Sequence, residues 1–326
     1  MSLFDVPEPN ASSASGDLCT TEGLLRLLSL RGIGPRRALT LATTFGSWAA
    51  LSEATEQQLA DSLGSVGKAL FGNIGEPPYI PPAPSGIVVI SCFDETWPAW
   101  LTSLPSAPAV IYARGTLPSV PCVAVVGTRH PTAYGLSVVS QVVERAGVHG
   151  FGVVSGLAAG IDAAAHQAAL DRGVLTWAIL GGGVDTPTPR ENVGLAEAMI
   201  AAGGGLISEQ APGIEPNAAR LVARNRLQVA ASQVVVAAQS GIPSGTLHTV
   251  RFAIEQNKTL AVPRPKPPWD IEPQSAGNMT LTDPDGCNPE VLSAKGSLAD
   301  KIRIRRPVAD IVLSDRSDID RIWTGR

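Results

Sequence analysis

The sequence predicts an α/β fold in which a doubly wound, mostly parallel sheet follows a small all-helical domain. Three observations lead to this prediction. Short apolar runs alternate with helical stretches beyond residue 86, leucines recur at helical spacing before residue 75, and the segment 75–86 between them is rich in proline. Alternating strands and helices are typical of a parallel sheet with helices on both faces, whereas proline interrupts both helices and central strands.

The N-terminal region is expected to be helical after a short arm. Residues 1–17 are rich in Ser, Pro and Asp without periodicity, which predicts a disordered arm. Residues 18–74 are expected to form the helical domain, because the leucines of 24–30 share one helix face before a Gly-centred break at 31–35. The segment 63–70 repeats this break more weakly. We therefore predict a helical hairpin around residues 31–35.

The segment 75–86 is predicted to be a linker, and 87–295 a Rossmann-like α/β domain. Its strand-like apolar runs lie at 87–91, 109–113, 123–127, 152–156, 175–180, 205–208, 234–238 and 259–263. Most of the later runs are continuously apolar, as expected for strands buried on both faces. Helical segments are expected near 134–148, 161–172, 192–202, 217–231 and 246–256. Residues 296–326 are expected to form a short extension, in which 301–323 supply one strand and one short helix.

The composition fits an ordered protein without a membrane segment. The chain has 326 residues, of which 44% are hydrophobic and 17% charged, and its formal net charge is −4. No apolar run reaches the ~18–20 residues of a bilayer span, and the N-terminus lacks the features of a secretory signal, so a cytoplasmic location is expected. The net charge argues against a surface coated in positive charge for duplex DNA, but a local site is compatible with it.

Two residue types bear on the possible ligands. Arginine supplies 20 of the 25 basic residues, and its planar guanidinium suits bidentate phosphate contacts, although arginine is also a common solvated surface charge. The cysteines Cys19, Cys92, Cys122 and Cys287 are scattered without paired spacing. Neither a zinc site nor a disulfide framework is therefore expected, and we interpret the cysteines as buried thiols.

Polar residues follow several of the predicted strands, at the positions where a doubly wound sheet binds its ligands. After the strand 123–127, Gly127, Thr128 and Arg129 precede Tyr134 at a helix start. Glycine lets a phosphate approach the backbone, a helix start offers free N–H donors, and arginine adds a charge-assisted contact. The pattern predicts phosphate binding, and a plain strand-to-helix turn would have a similar sequence.

A second polar loop begins at Ser155 and Gly156, again directly after a predicted strand. Gly160 permits a tight turn, and Asp162 falls where an acid stabilises the first turn of a helix. His166 lies one helical turn after Asp162, so the two side chains could meet. We interpret Asp162 as a structural cap that orients His166, with a catalytic pair as the alternative. No further ligand is spaced for a metal ion, so no metal site is expected.

Three further polar segments complete the predicted rim. They contribute Gly182, Asp185 and Asn192 from the loop 180–192, Arg224, Asn225 and Arg226 from the helix near 217–231, and Ser244, Gly245 and Thr246 from a helix start. None has the spacing of a dinucleotide fingerprint, so no nucleotide cofactor is expected. Each segment alone could be a turn or a solvated helix face, but together the five predict one anion-binding trough.

The ordered set of motifs resembles the DNA-processing protein A (Smf) family. The matching segments are GTR at 127–129 with Tyr134-Gly135, SGLAAGID with the following His at 155–166, LGGGVD at 180–185, Ser208-Glu209, RNR at 224–226, SGTLHTV at 244–250 and AVP at 261–263. Their order is preserved, and the resemblance extends from about Leu24 to Cys287.

The resemblance implies a non-catalytic protein that binds single-stranded DNA, forms a homodimer and delivers the strand to the RecA recombinase in natural transformation. It also implies phosphate contacts from Arg129 and neighbouring loop atoms. The break at 31–35 is similar to a helix-hairpin-helix (SAM-like) motif, in which backbone N–H groups around Gly32 and Gly34 would contact a phosphate. A plain helix connector would look similar.

The chain departs from the family pattern at several positions. Ala159 and Pro243 stand where basic residues are usual, Gln239 where a Glu is usual, and Arg264 where a Gly is usual. The loss of two cations should weaken phosphate binding. Residues 296–326 are also too few for a full winged-helix domain.

Two alternative functions follow from these departures and from the fold. One is a sensor domain for a nucleotide-derived ligand, which the missing cations favour. The other is a nucleoside-monophosphate phosphoribohydrolase of the lysine-decarboxylase-like group. That group needs a PGGxGTxxE loop, and its acid would fall at Thr249 in this chain.

Overall fold

A computed structural model describes residues 16–323 of the chain. The described residues divide into two compact units, and the division falls between Tyr112 and Ala113. The arm predicted at 1–17 lies outside the described residues except for Gly16 and Asp17. The segment 75–86 lies within the first unit, and the predicted domain limits stay predictions.

The first unit begins with a series of short helices. They are α1 (Thr21–Ser29), α2 (Pro35–Phe45), α3 (Trp48–Ser52), α4 (Glu56–Leu63) and α5 (Ser65–Leu70), followed by β1 (Ile87–Ser91) and α6 (Ala99–Thr102). The Thr20 side chain caps α1 by accepting from the backbone N–H of Gly23, and Pro35 takes the first position of α2, where no N–H is needed. The helical hairpin predicted around 31–35 is therefore confirmed.

The second unit contains a parallel sheet. Its strands are β3 (Cys122–Gly127), β4 (Gly152–Ser155), β5 (Thr176–Ile179), β6 (Gly205–Ser208), β7 (Val234–Gln239), β8 (Thr259–Pro263) and β9 (Ile311–Leu313), while β2 (Val110–Gly115) crosses the division between the units. They lie in the order β6-β5-β4-β3-β7-β8-β9, and all neighbours in this series pair in parallel. The predicted doubly wound, mostly parallel sheet is confirmed.

Helices cover both faces of this sheet. They are α7 (Ala133–Val148), α8 (Ile161–Leu170), α9 (Val193–Ala201), α10 (Ala218–Ala230), α11 (Gly245–Glu255), α12 (Ala276–Leu281) and α13 (Gly296–Arg303). Val123 and Val125 of β3 are buried in one core cluster with residues of α7 and α8, whereas Ala124 and Val126 are buried in a second cluster with residues of α11. Because alternate residues face opposite sides of a strand, burial on both sides requires a continuously apolar run.

Within 301–323 the structure contains the predicted strand, β9, and a 3-10 helix over Arg316–Ile322, whereas α13 begins earlier, at Gly296. The cysteines are free, but only Cys122 is buried; Cys19, Cys92 and Cys287 are partly exposed, so the expectation of buried thiols was wrong for these three. Among residues 16–323, no helix is both long and apolar enough to span a membrane.

Candidate functional site

The polar loops predicted to share a rim lie at one edge of the sheet in the second unit. β3 occupies the centre, with β4 on one side and β7 on the other. Because these strands are parallel, the loops that follow them emerge at the same edge. The chain passes from β3 to β4 on one side, whereas β7 and β8 lie on the other side of β3. The space beyond β3 and β7 is therefore the switch point at which doubly wound sheets bind ligands.

The loop after β3 is held from both sides and leaves Arg129 exposed. The backbone N–H of Thr128 donates to the carbonyl of Gln239 at 2.8 Å, and the carbonyl of Thr128 accepts from the backbone N–H of Ile161 at 3.1 Å. The Thr128 hydroxyl accepts from the backbone N–H of His130 at 3.2 Å. These bonds fix the backbone on either side of Arg129, whose side chain lies in solvent.

A buried amide fixes the other end of this loop. Gln239 ends β7 and is fully buried. Its Oε1 accepts from the backbone N–H of Thr132 at 2.9 Å, and its Nε2 donates to the hydroxyls of Thr132 at 2.9 Å and Ser275 at 3.2 Å. Gln239 therefore joins the start of α7 to the segment that precedes α12.

The loop after β4 forms the layer beneath Arg129. The Ser155 hydroxyl is buried and donates to the carbonyl of Val125 at 2.7 Å, and the backbone N–H of Gly156 donates to Oδ2 of Asp162 at 3.1 Å. Gly160 has φ +83°, and a Cβ there would lie 2.6 Å from the carbonyl carbon of Arg129. Glycine at position 160 thus allows the loop of Arg129 to lie against the start of α8.

A second guanidinium lies below the exposed arginine. Arg224 on α10 is 5% exposed, and its Nη2 is 3.8 Å from Oδ2 of Asp162, which is too long for a hydrogen bond. The guanidinium lies directly against the Cα of Gly156, where a Cβ would collide with it. Its Nε and Nη1 have no hydrogen-bond partner within the described chain. Burial lowers the pKa of Arg224, Asp162 opposes this change, and the positive charge of Arg129 adds to it.

The predicted pairing of Asp162 with His166 is wrong, because His166 is hydrogen-bonded to Thr176. Nδ1 of His166 lies 2.7 Å from the hydroxyl of Thr176, which itself donates to the carbonyl of Val153 at 3.1 Å. The Thr176 oxygen therefore accepts from His166, which assigns the proton to Nδ1 and leaves Nε2 unprotonated. Burial, together with Arg224, lowers the pKa of His166 to about 3. Burial also raises the pKa of Asp162, against the opposing effect of Arg224.

The loop after β5 uses its polar groups within the protein. Both carboxylate oxygens of Asp185 accept from the backbone N–H of Gly213, at 3.0 and 2.9 Å. The side-chain amide of Asn192 is buried and donates to the carbonyl of Leu157 at 2.8 Å. Gly182 is buried beside Ile214 and Pro216. These residues shape the loop, and their contact with a ligand stays a prediction.

The α10 and α11 residues divide between buried and accessible positions. Arg226 forms an ion pair with Glu209 at 2.6 Å, and the Asn225 amide lies 3.5 Å from the carbonyl of Gly245. Ser244 caps α11 by accepting from the backbone N–H of Thr246 at 3.1 Å. Gly245 itself is exposed and uncrowded. The start of α11 therefore offers an accessible helix N-terminus at the same edge as Arg129.

The predicted site residues thus fall into two layers. Exposed or partly exposed are Gly127, Thr128, Arg129, Tyr134, Gly160, Asp185, Arg226, Ser244 and Gly245, whereas Ser155, Gly156, Asp162, His166, Gly182, Asn192, Arg224, Asn225 and Thr246 are buried. Sequence reasoning missed Thr132, Ser275 and Trp269, and it treated Gln239 only as a departure from the family pattern. A polar residue that ends an otherwise apolar strand is the signal that would have indicated Gln239.

The remaining predicted contact lies in the first unit. Gly32 is exposed in the turn between α1 and α2, and neither Gly32 nor Gly34 is crowded by neighbouring atoms. The carbonyl of Gly32 accepts from Arg37 at 2.7 Å. The turn is therefore accessible, and its contact with DNA stays a prediction. Across residues 16–323, no group of three or more His, Cys, Asp or Glu side chains could hold a metal ion.

Residues 88–290 match the sequence model of the family described as DNA recombination-mediator protein A, which covers more than half of the chain. Residues 24–74 match the SAM-like helix-hairpin-helix tandem. The chain is 36% identical over 182 residues to the DNA processing protein DprA of Bacillus subtilis, across 55% of this chain and 61% of that protein. It is 32% identical over 207 residues to Protein Smf of Escherichia coli, across 60% of this chain and 54% of that protein. The chain therefore spans between half and two thirds of these relatives' lengths.

Two solved structures resemble the chain. The X-ray structure of DNA processing protein A from Streptococcus pneumoniae has a TM-score of 0.66 and 26% identity, and the match covers 80% of this chain and 92% of that one. A structure describing the single-stranded DNA binding mode of DNA processing protein A from Helicobacter pylori has a TM-score of 0.53 and 28% identity, and the match covers 60% of this chain and 86% of that one. The resemblance predicted from the motifs is confirmed.

Proposed function

The chain belongs to the DNA recombination-mediator protein A family, and from this premise we propose that it binds single-stranded DNA at the carboxyl edge of the sheet in its second unit. The observation that supports this most directly is the arginine pair at the switch point. Arg129 is exposed on the loop that lies against Gly160, Arg224 is buried against Gly156 of the same segment, and the charge of Arg129 adds to the lowering of the pKa of Arg224. The two guanidinium groups repel each other because both are positively charged. A phosphate bound beside them would offset this repulsion.

The start of α11 supports the same site. Its exposed Gly245 follows the strand next to β3, so the positive end of the helix dipole lies at the same edge as Arg129. A polynucleotide presents phosphates at regular intervals, and several anion-binding groups along one edge suit it better than one isolated phosphate. The Helicobacter pylori relative, whose structure describes a single-stranded DNA binding mode, is consistent with this ligand.

The proposed activity is binding without catalysis. Asp162 and His166 are the acid and base of the motif at 155–166, and both are buried. Asp162 accepts from Gly156, and His166 donates to Thr176. A general acid or base must reach the reacting group, whereas these two side chains hold the loops. By the family resemblance we also propose a cytoplasmic homodimer that delivers DNA to RecA in transformation.

The test is a salt titration of binding to a labelled single-stranded oligonucleotide, with Arg129→Ala compared with Arg172→Ala. Arg172 follows the opposite end of α8, where it donates to Ser140. Removing one charge-assisted contact should lower affinity about tenfold, and it should reduce the slope of log affinity against log salt by about 0.7. Arg172→Ala should change neither.

The same titration separates the alternative function. Equal affinity of Arg129→Ala and the unaltered protein for the oligonucleotide would reject the proposed site. If a mononucleotide raised the melting temperature while the oligonucleotide did not, the sensor function would replace DNA binding, because a ligand stabilises only the folded state that binds it.

A further inference from the structure

An aromatic pair lies beside the loop of Arg129, and its rings take no part in the hydrogen bonds and charge contacts of the site described above. The rings of Tyr134 and Trp269 are stacked with centroids 6.5 Å apart and an interplanar angle of 22°. Tyr134 lies in the first turn of α7, directly after the loop that contains Arg129. Trp269 begins a 3-10 helix in the segment that follows β8. Because β8 is parallel to β7 and β3, this segment emerges at the same sheet edge.

The Trp269 segment is fixed to that edge. Gln239 donates to Thr132, just before α7, and to Ser275, just after the Trp269 helix. The backbone N–H of Ser275 donates to the carbonyl of Glu272 at 2.8 Å, and that of Glu272 to the carbonyl of Trp269 at 3.4 Å. The stack is therefore held by a buried amide as well as by ring contact. A rigid aromatic surface loses little entropy when a ligand binds to it.

Core packing accounts for Tyr134 but not for Trp269. Tyr134 packs against the buried cluster of β3, α7 and α8. Trp269 remains partly exposed, and Ile271, two residues further on, is 83% exposed. Exposed apolar side chains that lie together, next to polar residues, are typical of a binding site. The segment thus presents apolar surface at the edge where Arg129 presents charge.

We propose that Trp269, supported by Tyr134, is a stacking platform for a nucleobase of the strand whose phosphate contacts Arg129. This inference rests on the proposed function and specifies how the same edge holds the base as well as the backbone. The charges of the segment agree with a base rather than a phosphate: Asp270 and Glu272 flank the platform, and Lys266 is paired with Asp315 at 2.9 Å. Stacking on an aromatic ring tolerates any base.

The experiment compares two oligonucleotides of equal length and charge, oligo-dT and its abasic analogue, on the full chain. Trp269→Leu removes the platform, and Trp269→Phe retains an aromatic ring. Trp323→Leu is the matched control, because Trp323 also stacks, on His149 with centroids 5.6 Å apart, beyond the opposite end of α7. Thermal unfolding of each variant identifies any loss of the folded state.

Trp269→Leu should lower affinity for oligo-dT about five- to a hundredfold, with the salt slope and the affinity for the abasic analogue unchanged. Trp269→Phe should restore most of the affinity, and Trp323→Leu should leave both affinities unchanged. Unchanged oligo-dT affinity in Trp269→Leu, or an equal loss on both oligonucleotides, would overturn the platform. Neither result would affect the Arg129→Ala comparison, which tests the proposed function separately. If neither oligonucleotide bound the unaltered chain, both the proposed function and the stacking platform would be rejected.

Discussion

Replacing Gly160 by alanine tests whether the start of α8 positions the loop of Arg129. Gly160 adopts φ 83° and ψ −125°, a backbone conformation that residues with a side chain rarely adopt. A Cβ at this position would lie 2.6 Å from both the carbonyl carbon and the oxygen of Arg129 and would also collide with the carbonyl of Thr128. The loop cannot move away freely, because Thr128 also donates to Gln239.

Two costs add in Gly160→Ala. The backbone conformation costs about 1–3 kcal/mol for a residue other than glycine, and the collision with backbone atoms costs about 1–3 kcal/mol, as overpacking does. We expect the free energy of unfolding to fall by about 2–6 kcal/mol. The matched control is Gly173→Ala, just after the same helix, where φ is +64° and a Cβ would meet no atom within 4 Å. The control should lose only about 1–2 kcal/mol.

Urea denaturation gives the stabilities, and oligonucleotide binding is measured under conditions where each variant is folded. Because the collision displaces the backbone of Arg129, Gly160→Ala should also lose affinity, as Arg129→Ala does, whereas Gly173→Ala should bind like the unaltered protein. If Gly160→Ala lost no more stability than Gly173→Ala and bound DNA normally, the proposed support of the Arg129 loop would be refuted.

Two further predictions concern buried side chains of the second unit. His166 has a pKa near 3 in the folded state and about 6.5 in the unfolded state. The unfolded state therefore binds the extra proton, and the free energy of unfolding falls as the pH drops below 6.5, by up to about 1.4 kcal/mol per pH unit. Equilibrium unfolding of His166→Asn at pH 4 to 7 should lack this dependence, and an unchanged slope of stability against pH would contradict the assignment. The side-chain amide of Asn278 donates to the carbonyls of Ala237 and Pro263 at 3.0 and 3.1 Å and accepts from the backbone N–H of Ser240 at 2.7 Å. Asn278→Ala should therefore lower the free energy of unfolding, measured by urea denaturation, by about 1–3 kcal/mol or more. A loss well below about 1 kcal/mol would contradict this and would mean that water replaces these bonds.

The strands and helices of the second unit could be predicted from the sequence because their signals are local. The run at 234–238 is apolar at every position, and the strand Val234–Gln239 is buried throughout. The helix expected near 134–148 forms over Ala133–Val148. Burial on two faces and helical periodicity are both properties of neighbouring residues. The sheet edge at which the polar loops lie could also be predicted, because parallel strands place their carboxyl ends at the same edge.

The sequence could not decide which polar side chains of those loops face solvent. Ser155 ends β4 and Arg129 follows β3, yet the Ser155 hydroxyl donates to Val125 in the interior, and Arg129 is exposed. His166 lies one helical turn from Asp162, but it donates to Thr176 on the neighbouring strand. A hydrogen-bond partner on another strand depends on strand order and register, and the spacing of residues within one helix gives no information about either.

By itself, then, the sequence determined the α/β class, the strand ends that form the rim and the family, because each depends on patterns within short segments or on their order. Only the tertiary structure decided that Gln239 joins Thr132, 107 positions away, to Ser275, and that Trp269 stacks on Tyr134. Such contacts join residues that are distant in the chain and become neighbours only when the sheet and its helices pack. The physical reason is that a side chain's partner is set by three-dimensional proximity, whereas its secondary structure is set largely by its sequence neighbours.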